Sequence, residues 1–176
     1  PAELQSFITQ YFNTIGTSQL QTAPVVTYSF YTDAHEPAER VMEYPLKDSE
    51  KIFQEFNDAE KSETHAMIAY LENATGMHFQ EVAAGEGAIR LGKYNMSDDL
   101  MGYTYLPTDF PQDASYAPLF INSNIEQSSD ASQTLWHEFG HALGLKHPGP
   151  YGVGDFAPYL PTELDTSILT VMSYND

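Results

Sequence analysis

One α+β domain is the fold class this chain predicts, and three observations predict it. Helical runs with start and stop signals open the sequence, recur in its middle and return near its end. Between them lie short β-rich runs, broken by clusters of glycine, asparagine and aspartate. No internal repeat and no long linker interrupts the 176 residues, and a chain of that length buries about 70% of its unfolded surface, enough for a core without cross-links. Disulfides are excluded, since the chain contains no cysteine.

Taken in order, Leu4, Phe7, Ile8, Tyr11, Phe12 and Ile15 recur at helical spacing and predict an amphipathic helix ending near Gly16. A proline-flanked run predicts a strand over residues 25–30, and an irregular acidic stretch follows through His35, Glu36 and Pro37. A second helix is expected from about Asn57, where Asn57 and Glu60 form a capping-box pattern. Met67, Ile68, Leu71 and Ala74 form its buried stripe, and Gly76 ends it. Strands are then expected over residues 77–82, 88–94, 101–106 and 119–121, broken by Gly85-Glu86-Gly87 and by Asn95 to Asp99. Gly102 would let another chain approach the third of these closely. A third helix should start at Asp130, capped with help from Gln133, and stop at Gly144, beyond which a glycine- and proline-rich segment wraps a lower rim. The expected organisation is one domain over 1–176, with a cleft between an upper part to about residue 143 and a short lower part over 144–176.

The third helix carries the chemistry. From residue 137 the chain reads His-Glu-Phe-Gly-His-Ala-Leu-Gly-Leu-Lys-His. His137 and His141 are four apart and lie one above the other on a helix face. Gly144 reaches the left-handed conformation without steric cost, so the chain can turn and bring His147 back to the same point. Three neutral imidazoles suit Zn²⁺ and leave its fourth position open, which marks a catalytic rather than a structural zinc. Glu138 reaches the open position, where it would act as general base toward a zinc-bound water and later hand the proton to a leaving amine. The pattern therefore predicts a zinc-dependent endopeptidase. His35, His65 and His78 have no metal spacing to one another and are expected to stand apart.

A second feature agrees. Met172, followed two residues later by Tyr174, resembles the Met-turn that follows the zinc helix in metzincins. With Pro148 and Gly149 after the last histidine, and Thr-Val-Met-Ser-Tyr over residues 170–174, the chain resembles the serralysin family of metzincins, bacterial secreted zinc endopeptidases. The resemblance covers roughly residues 24–176 and is strongest in the last 45. It implies a metzincin-type α+β domain: a twisted, mostly parallel sheet with an antiparallel edge strand, a backing helix and an active-site helix. It also implies that Gly102, Tyr103, Thr104 and Tyr105 belong to a substrate-binding edge strand. Tyr174 would ligate zinc at rest and then hydrogen-bond the oxyanion, and Met172 would be the structural methionine of the turn. Asp165 and Thr166 would brace the Met-turn or a ligand histidine, with an exposed surface position as the alternative. Its further implications are a secreted monomer, a protein or peptide substrate, and possible control by a protein inhibitor.

The chain departs from the family in two ways. The calcium-binding glycine-rich repeats of serralysins are absent from these residues, so zinc but not calcium is the expected cofactor, in a chain either naturally short or trimmed. Pro150 stands where many relatives carry an acidic residue. Seven basic against twenty-five acidic residues give a formal net charge of −18, which argues against nucleic acid or an anionic membrane as partner. The same charge suits solubility, cationic substrates or saline surroundings. A zinc-holding binding module that has lost turnover is the competing function class. An intact Glu138 weighs against it.

Overall fold

The computed structural model describes residues 25–35, 52–97, 100–106, 116–125, 129–152 and 155–175, with the side chains of 129 and 130 excepted. The helix expected between Leu4 and Gly16, the stretch at Glu36 and Pro37, and the side-chain cap from Asp130 lie outside these residues.

Among them, six strands form one sheet: β1 (Val25–Phe30), β2 (Phe53–Gln54), β3 (His78–Glu81), β4 (Ile89–Tyr94), β5 (Gly102–Thr104) and β6 (Ala117–Asn122). The order is β3-β1-β4-β6-β5. Strands β3, β1, β4 and β6 pair in parallel, and β5 runs antiparallel to β6 at the edge. Strand β2, which the sequence reading missed, pairs antiparallel with the end of β4, with Phe53 opposite Tyr94. A two-residue strand has no periodicity to read.

Strand β6 is buried along all six residues, the signature of a strand covered on both faces. Its alternation sorts it between two cores. Ala117, Leu119 and Ile121 face the helices together with Tyr28, Phe30, Ile89 and Leu91, while Phe120 joins Tyr31, Tyr94 and Met96 on the opposite face. Close packing between β1 and the start of β4 depends on Gly87. A methyl group there would lie 2.5 Å from the backbone N of Ser29 and the backbone C of Tyr28, and 2.7 Å from the carbonyl O of Ile89. None of these backbone atoms can rotate away. Gly87→Ala is therefore expected to cost about 1–3 kcal/mol, as overpacking does, and to lower the thermal midpoint by about 3–10 °C. An unchanged midpoint in differential scanning calorimetry would contradict the packing.

Helix α1 (Asp58–Thr75) starts with the expected capping box. Asn57 Oδ1 accepts from the amides of Ala59 and Glu60, and the Glu60 carboxylate accepts from Asn57 N–H at 2.7 Å. Gly76 ends it at φ 73°, in the left-handed region. Its inward face corrects the expected stripe. Met67 and Ile68 are buried and Leu71 is packed against the core, but Ala74 is exposed and Thr64 is fully buried. Thr64 tolerates burial because its hydroxyl donates to the Glu60 carbonyl at 2.8 Å. At the last turn Thr75 is half-buried, its hydroxyl donating to the Leu71 carbonyl at 2.6 Å.

Helix α2 (Ser129–Ala142) packs across β5 and β6, with Leu135, Phe139 and Ala142 in the helix-side core. No helix among the described residues is long and apolar enough to cross a membrane.

Candidate metal centre and cleft

The end of α2 builds the centre. Gly144 N–H donates to the His141 carbonyl at 2.8 Å and Leu145 N–H to the Gly140 carbonyl at 2.9 Å, with Gly144 at φ 95°. This pair of bonds is the Schellman arrangement, closed by a residue in the left-handed region. It reverses the chain within three residues and points His147 back at the helix.

His137, His141 and His147 then converge, offering one nitrogen each within 4.8 Å of one another, and among the described residues no other group of this kind occurs. The Nε2 atoms of His137 and His147 lie 3.3 Å apart, and those of His141 and His147 3.1 Å apart. Each remaining ring nitrogen faces an oxygen. His137 Nδ1 donates to the Val171 carbonyl at 2.8 Å, His141 Nδ1 to the Leu145 carbonyl at 2.7 Å, and His147 Nδ1 to Asp155 Oδ1 at 2.9 Å. A carbonyl can only accept, so the proton of His137 and of His141 sits on Nδ1. Their Nε2 lone pairs are left facing a common point. Two nitrogens on a tetrahedral zinc with bonds of about 2.0–2.1 Å stand about 3.3 Å apart, so the donor set fits a zinc ion. Burial also keeps the imidazoles of His137 and His141 neutral. It lowers the pKa of His137, and burial with the neighbouring His137 brings His141 down to about 3. A neutral imidazole does not have to lose a proton before it binds metal.

Glu138 points from α2 into a cleft of about 400 Å³ lined by Leu100, Met101, Gly102, Thr134, His137, Val171 and Tyr174, among others. Burial pushes its carboxyl up to about 8, against the opposing effect of a hydrogen bond from the Thr104 amide. A cation at the three histidines would favour the carboxylate, by the attraction of opposite charge. Gly102 also has a packing task. A methyl group there would lie 2.6 Å from Thr134 Cγ2 and 2.8 Å from Glu138 Cγ. The missing side chain makes room for α2.

Strand β5 does end the described sheet, as an edge strand should. It is shorter than expected: Gly102, Tyr103 and Thr104 form it, while Tyr105 lies beyond its end, ring against ring with Tyr103 at 5.1 Å between centroids. Thr104 is held by its hydroxyl, which donates to the Pro118 carbonyl at 2.8 Å. Its amide is engaged by Glu138.

Below the centre, the turn at Thr170–Ser173 closes with Ser173 N–H donating to the Thr170 carbonyl at 3.1 Å and Met172 N–H to Thr170 Oγ1 at 3.2 Å. Met172 is buried, and a methyl group at Gly140 would meet its sulfur at 2.6 Å. Gly140 thus lets the turn press against α2 and carry the Val171 carbonyl to His137. Tyr174 stacks on His137 at 5.4 Å, packs on His147 at 4.7 Å and stacks on Tyr151 at 4.9 Å. Tyr174 is 63% exposed, so only partial desolvation of its hydroxyl, with the nearby Glu138 and Asp155, raises its pKa, and the phenol keeps its proton at neutral pH.

Two residues here had no signal in the sequence. Asp155 holds His147, and Tyr151 supports Tyr174 while its hydroxyl donates to Asp165. Asp165 is buried and accepts from Ser173 Oγ at 2.7 Å, so of its two expected partners it contacts the Met-turn and not a histidine. The other histidines stand apart: His35 bonds Thr32, His65 bonds Glu81, and His78 lies exposed on β3.

No family model matches the chain. Metalloprotease AprA of Pseudomonas entomophila is 31% identical over 133 residues, covering 69% of this chain and 27% of that protein. Serralysin of Photorhabdus laumondii is 29% identical over 134 residues, covering 69% of this chain and 28% of that protein. The chain therefore spans under a third of the length of these curated relatives. Among solved structures, myroilysin matches with a TM-score of 0.42 and 21% identity, over 76% of this chain and 54% of that one.

Proposed function

We propose that this chain, which its sequence relatives identify as a serralysin-like domain, is a zinc-dependent endopeptidase acting on protein or peptide substrates outside the cell. The observation that carries the reading is the convergence of three Nε2 atoms whose opposite ring nitrogens all face oxygens. His137, His141 and His147 would hold the zinc, which when bound supplies Lewis acidity to a water and to a scissile carbonyl in the cleft.

The residues around it supply the rest. Glu138 accepts the proton of the attacking water and returns it to the leaving amine. Its carboxylate is aimed by the Thr104 amide and by the packing of Gly102 on its stem. Tyr174, protonated at neutral pH, donates to the oxyanion as negative charge develops there. A substrate chain lies along β5, extended beside the edge of the sheet.

Tyr174→Phe keeps the ring that stacks on His137 and removes only the hydroxyl. The expected loss is on the order of 2–4 kcal/mol, falling on kcat with KM nearly unchanged. Steady-state kinetics on a fluorogenic peptide measures the split, and a variant with normal kcat removes Tyr174 from the mechanism. The function itself is tested by loading the purified chain with one equivalent of zinc and following cleavage of an unstructured protein by mass spectrometry. Internal cleavage that stops on adding a zinc chelator and returns with zinc is the expected result. A folded, zinc-loaded chain that leaves the protein intact would overturn the proposal.

A further inference from the structure

Asp155 uses both carboxylate oxygens, and it uses them on different partners. Oδ1 accepts from His147 Nδ1 at 2.9 Å. Oδ2 accepts from the amides of Tyr151 at 2.8 Å and Gly152 at 2.7 Å. Its carbonyl takes a third bond, from the Tyr159 hydroxyl at 3.1 Å. One side chain thus ties His147 to the amides of Tyr151 and Gly152. Lys146, on the other side of that histidine, fastens the same loop: its ammonium donates to the carbonyls of Phe156 and Pro158 and lies 4.9 Å from the ring centroids of Phe156 and Tyr159.

His147 differs from the other two histidines in this respect. His137 and His141 donate to backbone carbonyls, which dictate the position of the ring proton whatever the side chains around them. The proton of His147 is dictated by a side chain, and only an ionised carboxylate can accept there while also accepting from two amides. We infer that Asp155 is the positioning residue for the third metal-binding histidine, holding His147 in the tautomer whose Nε2 faces the metal position.

Asparagine separates the two tasks. Its single acceptor oxygen can serve the two loop amides, which leaves its NH₂ toward His147. An NH₂ donates, so His147 Nδ1 must become the acceptor and the ring proton moves to Nε2, where it blocks metal binding. The loop survives and the ligand is lost.

The inference rests on the reading that the three histidines hold zinc. The test is zinc affinity, measured by competition with a chromophoric chelator, on wild type, Asp155→Asn, His147→Ala and the double variant. The thermal midpoint of each zinc-free protein is measured alongside. Asp155→Asn should raise the zinc Kd about 10–100-fold, the range for loss of a ligand's supporting hydrogen bond, with the zinc-free midpoint little changed. In the His147→Ala background the same substitution should leave the zinc Kd unchanged. A Kd within about twofold of wild type, or an equal rise with and without His147, would overturn the role of Asp155 while leaving the zinc site standing. A wild-type chain that binds no zinc would instead overturn the reading of the site itself.

Discussion

Glu138→Gln is expected to keep its zinc and lose peptide hydrolysis by about 10²–10⁴-fold, the usual contribution of a general base or acid, or about 2.7–5.4 kcal/mol of barrier. The substitution is close to isosteric. Glutamine's carbonyl oxygen can still accept from the Thr104 amide, and its stem still packs against Gly102, so the cleft keeps its shape. What disappears is the basic oxygen that takes a proton. Because Glu138 is not among the three converging side chains, zinc per chain by elemental analysis should stay at the wild-type value while kcat/KM falls. Full turnover in this variant would mean that proton transfer takes another route.

His141→Ala should have the larger consequence, since it removes a ligand position and not a proton carrier. His141 is buried on the face of α2, and its Nε2 lies 3.1 Å from that of His147. Alanine leaves two imidazoles and a gap, so hydrolysis should fall to background. Stability supplies a second readout. A metal present at 1,000 times its Kd stabilises the folded state by about 4 kcal/mol, which for a domain of this size is a rise of about 8–16 °C in thermal midpoint. That rise should appear in wild type on adding zinc and vanish in His141→Ala. Stoichiometric zinc in the variant would contradict the assignment.

The parts of the molecule legible from sequence are those governed by neighbours along the chain. The capping box at Asn57 and Glu60, the stop at Gly76, the reversal at Gly144 and the spacing of His137, His141 and His147 are all decided within a few residues. The structure carries each of them. What stayed hidden depends on contacts across long stretches of chain. Asp155 is eight residues from the histidine it holds, within a loop that has no periodicity. Gly102 reads as a place for a ligand strand, and only the approach of α2, thirty-six positions on at Glu138, shows what fills the space. Thr64 reads as polar surface until its hydroxyl is seen bonded within its own helix. Ala74 is apolar and in register for the buried stripe, yet it is exposed, and its neighbour Thr75 is the half-buried residue of that turn. Asp165 shows the intermediate case: resemblance offered it two partners, and geometry selects the Met-turn.

The most direct measurement is the X-ray absorption spectrum at the zinc edge of the wild-type chain loaded with one equivalent of zinc. Three imidazole nitrogens at about 2.0–2.1 Å, with the outer-shell scattering of intact rings, is the expected result, and that signal should be lost in His141→Ala. A zinc surrounded by oxygen alone, in the manner of metal collected on an acidic surface, would contradict the account.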